Sequence, residues 1–148
     1  TKFVRLGDLM MQINRPKAAL IEYSKVEEEG TPSPILLARK ARCYIALDKS
    51  QQALAIVEQG VTLYPEFALL WVTKGQVHTI LDDIDNATKS YKMAHDLNPF
   101  NPEVQEALIK GYTSQGKEEL AKRHRRYAMV LKTGGAITKG DIDDNKPR

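Results

Sequence analysis

The stretch that decides the fold runs from Ala68 to Asn101 and reads ALLWVTKGQVHTILDDIDNATKSYKMAHDLNPFN. Its apolar and small residues recur three and four apart on either side of Leu81-Asp82-Asp83, the spacing of one helical face followed by a turn and a second face. Shifting this window by 34 residues toward either terminus brings like residues into line. Alanines stand at Ala19, Ala53, Ala87 and Ala121, each 34 residues after the last. Such a period without insertion marks an array of identical supersecondary units.

Other columns keep the same step. Small residues occupy Gly7, Ala41 and Gly75, with Ile109 as the exception. Large apolar residues occupy Phe3, Leu37 and Trp71, with Gln105 as the exception. Met10, Tyr44, His78 and Tyr112 form a further column, as do Tyr23, Val57, Tyr91 and Arg125, and then Val26, Gly60, Ala94 and Ala128. Small residues allow two helices of a hairpin to approach closely, and large ones such as Trp71 and Tyr91 fill the gaps between hairpins. No hairpin can bury its apolar face alone, so stability has to come from stacking.

The breaks carry start and stop chemistry. Ser33-Pro34 and Asn101-Pro102-Glu103 supply an N-cap and a proline at the first helical position, and Asn14 before Pro16 is read the same way. Leu47-Asp48-Lys49-Ser50, Leu81-Asp82-Asp83 and Gln115-Gly116 mark turns inside the hairpins. Helices are predicted near 2–13, 17–29, 34–46, 50–63, 67–80, 84–97, 102–114 and 118–132. The expected fold is all-α, a solenoid of four units at about 1–33, 34–67, 68–101 and 102–132, followed by a flexible polar tail at 133–148.

The period of 34, the Trp71 to Gly75 spacing, and Ala87, Tyr91, Ala94 and Pro99 together resemble a tetratricopeptide repeat. The resemblance covers residues 1–132, is strongest in the third unit and degenerates in the fourth, where Ile109 and Arg125 depart from the pattern. It implies a right-handed superhelix whose first helices line a concave groove that receives a peptide or helix of another protein. The implied lining is Val4, Asp8 and Met11; Ile35, Ala38, Arg42 and Ile45; Leu69, Val72, Gln76 and Ile80; and then Glu103, Glu106, Lys110 and Thr113. The first three sets are largely apolar, which suits an apolar or amphipathic segment with Arg42 and Gln76 as polar anchors. The competing reading is that neighbouring parts of the same polypeptide cover these residues. Members of the family that grip a C-terminal carboxylate use Lys, Asn and Arg on the groove. The matching places here hold Val4, Asp8, Arg39, Leu69 and Thr73, of which only Arg39 suits a carboxylate, so that subtype is not expected.

With 42% hydrophobic and 28% charged residues, the composition is that of a folded chain. The longest apolar runs fall short of a membrane span, and the first residues do not read as a secretory signal. They begin inside an amphipathic pattern, as an excised piece of a longer protein would. The single cysteine, Cys43, leaves the compartment open; a reducing cytoplasm is favoured, and an exported product also fits.

The net charge of +3 is uneven, because 117–132 carries six Lys/Arg against two Glu, a balance of +4. Lys122, Arg123, Arg125 and Arg126, flanking His124, form a possible secondary basic surface. They surround most of the helix and lack interleaved aromatics, which favours a solvated face over an acidic partner, and either over nucleic acid.

Signals for catalysis are weak. His78 shares a column with tyrosines and reads as packed, although Asp82 lies one turn away; two ligands do not make a zinc site. Cys43 reads as a small core residue. Glu27-Glu28-Glu29 and Asp82-Asp83 sit at a helix end and a turn, not across a cleft. Asp141 to Asn145 lacks the central glycine and terminal Glu of a calcium loop. The expectation is a non-catalytic protein-interaction scaffold without cofactor or metal. The alternatives are a non-catalytic appendage of a larger enzyme or regulator, and a module that self-associates.

Overall fold

The computed structural model describes residues 1–27 and 30–135. Among them the chain forms eight helices and no strand: α1 (Lys2–Gln12), α2 (Pro16–Glu27), α3 (Pro34–Ala46), α4 (Ser50–Leu63), α5 (Ala68–Ile80), α6 (Ile84–Leu97), α7 (Pro102–Ser114) and α8 (Glu118–Thr133). Consecutive helices pair into hairpins, and each second helix also packs on the first helix of the next hairpin. First helices touch one another as well, α3 against α5, so they form one layer and the second helices another. This is an all-α helical-repeat solenoid. Of the tail expected at 133–148, Thr133 is the last residue of α8, and residues 136–148 lie outside the described residues.

The turn inside each hairpin follows the same period as the packing columns. Asn14, Asp48, Asp82 and Gly116 adopt φ of 56°, 58°, 59° and 71°, the left-handed conformation that ends a helix. The following amide then reaches back to a carbonyl five residues earlier: Arg15 to Met10 at 2.7 Å, Lys49 to Tyr44 at 2.9 Å, Asp83 to His78 at 2.9 Å and Lys117 to Tyr112 at 2.8 Å. Asn14 is therefore the terminator of α1 and not the N-cap of α2 expected from its place before Pro16. Asn, Asp and Gly tolerate this conformation better than other residues, which accounts for their recurrence here.

Between hairpins the caps form as read. The Ser33 hydroxyl accepts from the Leu36 amide at 3.2 Å, and the Asn101 side chain accepts from the Glu103 amide at 3.0 Å. Pro34 and Pro102 each sit at the first helical position.

The close helix approaches sit where the small-residue columns place them. Gly7 lies under the ring of Tyr23, and a Cβ on Gly75 would stand 2.8 Å from the ring of Tyr91. Tyr91 also belongs to a cluster with Val104 and Leu108 of the next hairpin, so it seals both its own hairpin and the joint beyond. Successive clusters, one around Ala19, Tyr23, Leu36 and Cys43 and another around Leu37, Val61 and Leu70, distribute the core along the array.

Candidate protein-binding groove

The first helices are tied side by side by polar bridges. The Tyr23 hydroxyl donates to Asp8 Oδ1 at 2.6 Å, and Arg39 Nε donates to the same oxygen at 2.9 Å, joining α1, α2 and α3. Burial first, then the bond to Asp8, pushes the Tyr23 phenol well above its usual range, so it remains a donor. On the other side of the array, Gln76 Nε2 donates to Glu103 Oε1 at 2.6 Å, joining α5 to α7.

A cleft of about 440 Å³ opens beside the first bridge, lined by Asp8, Met11, Gln12, Tyr23, Arg39 and Arg42. Arg42 is exposed, and among the described residues no carboxylate pairs with it. Along the same helices Ile35, Leu69 and Ile80 stand 44%, 42% and 50% exposed, while Val4, Met11 and Ile45 are half-buried. Glu103, Glu106, Lys110 and Thr113 continue the surface on α7 and are all exposed.

Two residues expected on the groove wall are placed elsewhere. Ala38 is fully buried beside Leu37 and Leu70, and Val72 is 5% exposed within the cluster of Tyr91, Val104 and Leu108. A half-turn separates an accessible position on such a helix from one facing the next hairpin, and helical spacing alone does not say where that border falls. Gln76, expected as a free anchor, is engaged by Glu103. Arg39 and Tyr23, absent from the expected lining, are brought to the cleft by Asp8. No sequence signal marked them, because Asp8 has Arg5 three residues earlier on α1 as an equally good local partner.

The basic run on α8 divides. His124 turns into the core, while Lys122, Arg125 and Arg126 face solvent and Arg123 is half-buried. Lys122 meets Glu119 at 3.3 Å, and Arg125 meets Glu118 at 2.7 Å and Thr113 at 3.2 Å. Much of its charge is thus balanced locally.

The remaining titratable candidates are packing residues. Cys43 is buried with its thiol directed to the Met11 sulfur at 3.2 Å, and burial pushes its pKa up to about 11. His78 is buried and faces Asp83, at 3.4 Å, rather than Asp82. No group of three or more His, Cys, Asp or Glu is arranged to hold a metal among the described residues.

Solved structures share this architecture. The crystal structure of MamA superimposes with a TM-score of 0.80 at 18% identity, over 89% of this chain and 77% of that one. The first tetratricopeptide domain of Spaghetti (RPAP3), bound to the HSP90 peptide SRMEEVD, superimposes with a TM-score of 0.72 at 21% identity, over 77% of this chain and 90% of that one. In sequence, heat shock protein STI1 of Saccharomyces cerevisiae is 28% identical over 99 residues, which is 67% of this chain and 17% of that protein. The chain thus spans about one sixth of that relative's length. No protein-family model matches the chain. Fold, period and turn geometry together give this chain the same helical-repeat architecture as that tetratricopeptide domain.

Proposed function

We propose that the chain is a non-catalytic scaffold that holds an amphipathic segment of a partner protein along its first helices. The observation that carries this reading is the exposed set Ile35, Leu69 and Ile80, flanking a polar line on which Arg42 has no carboxylate partner among the described residues. Apolar side chains of a partner would cover the isoleucines and leucine, and an acidic group would meet Arg42 above the cleft. Cys43, His95 and His124, the groups best suited to nucleophile or base chemistry, are committed to packing, which supports a binding rather than a catalytic role.

The peptide held by the Spaghetti domain ends in acidic residues, so a carboxylate-gripping mode has to be weighed. Thr73 is buried and its hydroxyl donates to the Leu69 carbonyl at 2.8 Å, and Asp8 places a negative charge beside Arg39. Both features oppose a terminal carboxylate at those places. Titration with the peptide SRMEEVD should therefore give no saturable binding in the micromolar range. Saturable micromolar binding, lost in Arg39→Ala, would replace the amphipathic-segment reading with the carboxylate mode.

A further inference from the structure

The outer face of α1 departs from the pattern of every other first helix. Lys2, Leu6, Leu9 and Ile13 form one stripe, and the last three are 39%, 48% and 53% exposed. The same register holds Leu70, Lys74, Val77 and Leu81 on α5 and its C-cap, all buried or half-buried. On α7 it holds Val104, Leu108 and Gly111, all buried, and then Gln115 at the C-cap.

What covers that register elsewhere is the preceding second helix. A Cβ on Gly60 of α4 would stand 2.8 Å from Leu70. Gly111 lies against Thr88 of α6, and Gln115 Nε2 donates to Asp85 at the start of α6 at 2.9 Å. The α1 stripe is thus the continuation of an interface already formed three times along the array.

We infer that this stripe is the docking face for the second helix of a further helix–turn–helix unit, packed as α4 packs on α5. Charge defines the occupant further. Lys2, Arg5, Arg15 and Lys17 surround the stripe and are all exposed. The covering helix therefore presents small and apolar residues to Leu6, Leu9 and Ile13 and an acid to Lys2. A second copy of this chain fits poorly. Two α1 faces would set these cations against one another, and the opposite end of the array, α8, also carries a basic excess.

The test extends the full chain by a copy of residues 33–68, carrying Gly60→Asp in the copy, placed directly before Thr1 so that the 34-residue spacing is kept. Thermal unfolding is compared for the extended and original chains, each also as Leu9→Gln/Ile13→Gln. The expected result is a single transition raised by at least about 5 °C on extension. That gain should fall by more than half in the double variant, whose original-length form unfolds with the parent because both side chains are exposed. A separate low-temperature transition for the added hairpin, or a gain untouched by the double variant, would overturn the inference. So would sedimentation showing the original chain as a dimer that Leu9→Gln/Ile13→Gln converts to monomer, since the occupant would then be a second copy.

Discussion

The side-chain amide of Gln105 donates to Nδ1 of His95 at 2.7 Å, at a fully buried position where the other units carry Phe3, Leu37 and Trp71. On its other side the same amide accepts, through Oε1, from His124 Nδ1 at 2.8 Å. One amide can offer one donor edge and one acceptor edge, so the arrangement requires His95 neutral at Nδ1 and His124 protonated there. His124 also stacks on Tyr112 with ring centroids 5.5 Å apart, and His95 meets the edge of Tyr127 at 5.4 Å. This polar triad locks the fourth hairpin onto the third.

The triad predicts acid sensitivity. Burial first, then the neighbouring His95, lowers His124 to about 4 from an ordinary 6.5, and burial lowers His95 as well. Asp96 opposes these shifts, whereas Lys92 acts in the same direction on both groups and Arg123 on His124. The unfolded chain therefore takes up protons first, so stability is full above about pH 6.5 and is lost as the pH falls toward 4. The slope should approach about 1.4 kcal/mol per pH unit for each histidine titrating. Urea unfolding at pH 7.5, 6 and 5 checks this, and His124→Phe should flatten the profile.

Removing the amide should cost more than its size suggests. Gln105→Leu keeps the volume but strands two buried ring nitrogens, a loss of about 1–3 kcal/mol for each group left without a partner. Hydrogen exchange should show the loss concentrated in α7 and α8, with α1 to α4 retaining their protection.

The glycines under the tyrosines should resist the substitution that helix propensity favours. Alanine in place of an exposed helical glycine stabilises by about 1 kcal/mol. Gly75→Ala should instead destabilise by about 1–3 kcal/mol, because the added methyl would stand 2.8 Å from the Tyr91 ring, which is itself packed in the cluster with Val104 and Leu108. Chemical denaturation measures both the sign and the size.

The turn residues offer an opposite test. Asp48 holds φ at 58°, so Asp48→Gly should leave stability unchanged or raise it by up to about 1 kcal/mol, while Asp48→Val should lower it by about 1–2 kcal/mol. Equal effects of the two substitutions would show that the turn is not held in the left-handed conformation.

The helices and their pairing were legible because the period of 34 is repeated in packing residues, caps and turns at once. Helix ends such as Gln12, Pro16 and Ala68 fall within a residue of the spacing-based expectation. The role of Asn14 was misread because Asn serves both N-caps and left-handed C-terminal turns, and only comparison with Asp48, Asp82 and Gly116 separates the two. Gln105 looked like degeneration of an apolar column. Its partners lie ten and nineteen residues away on different helices, so no local pattern announces them. The exposure of the expected lining was not legible residue by residue. Superhelical packing decides that Leu69 is exposed and Val72 buried three positions later, and that Gln76 meets Glu103 instead of solvent.

The most direct test of the groove compares protein captured from the lysate of the source cell by the full chain and by Leu69→Glu/Ile80→Glu. Met129→Glu, at a 66% exposed position on α8, serves as the surface control. The account predicts a partner retained by the parent and by Met129→Glu and lost by the double variant, with all three equally helical by circular dichroism. Equal retention by the double variant, with its helicity intact, would contradict binding along the first helices.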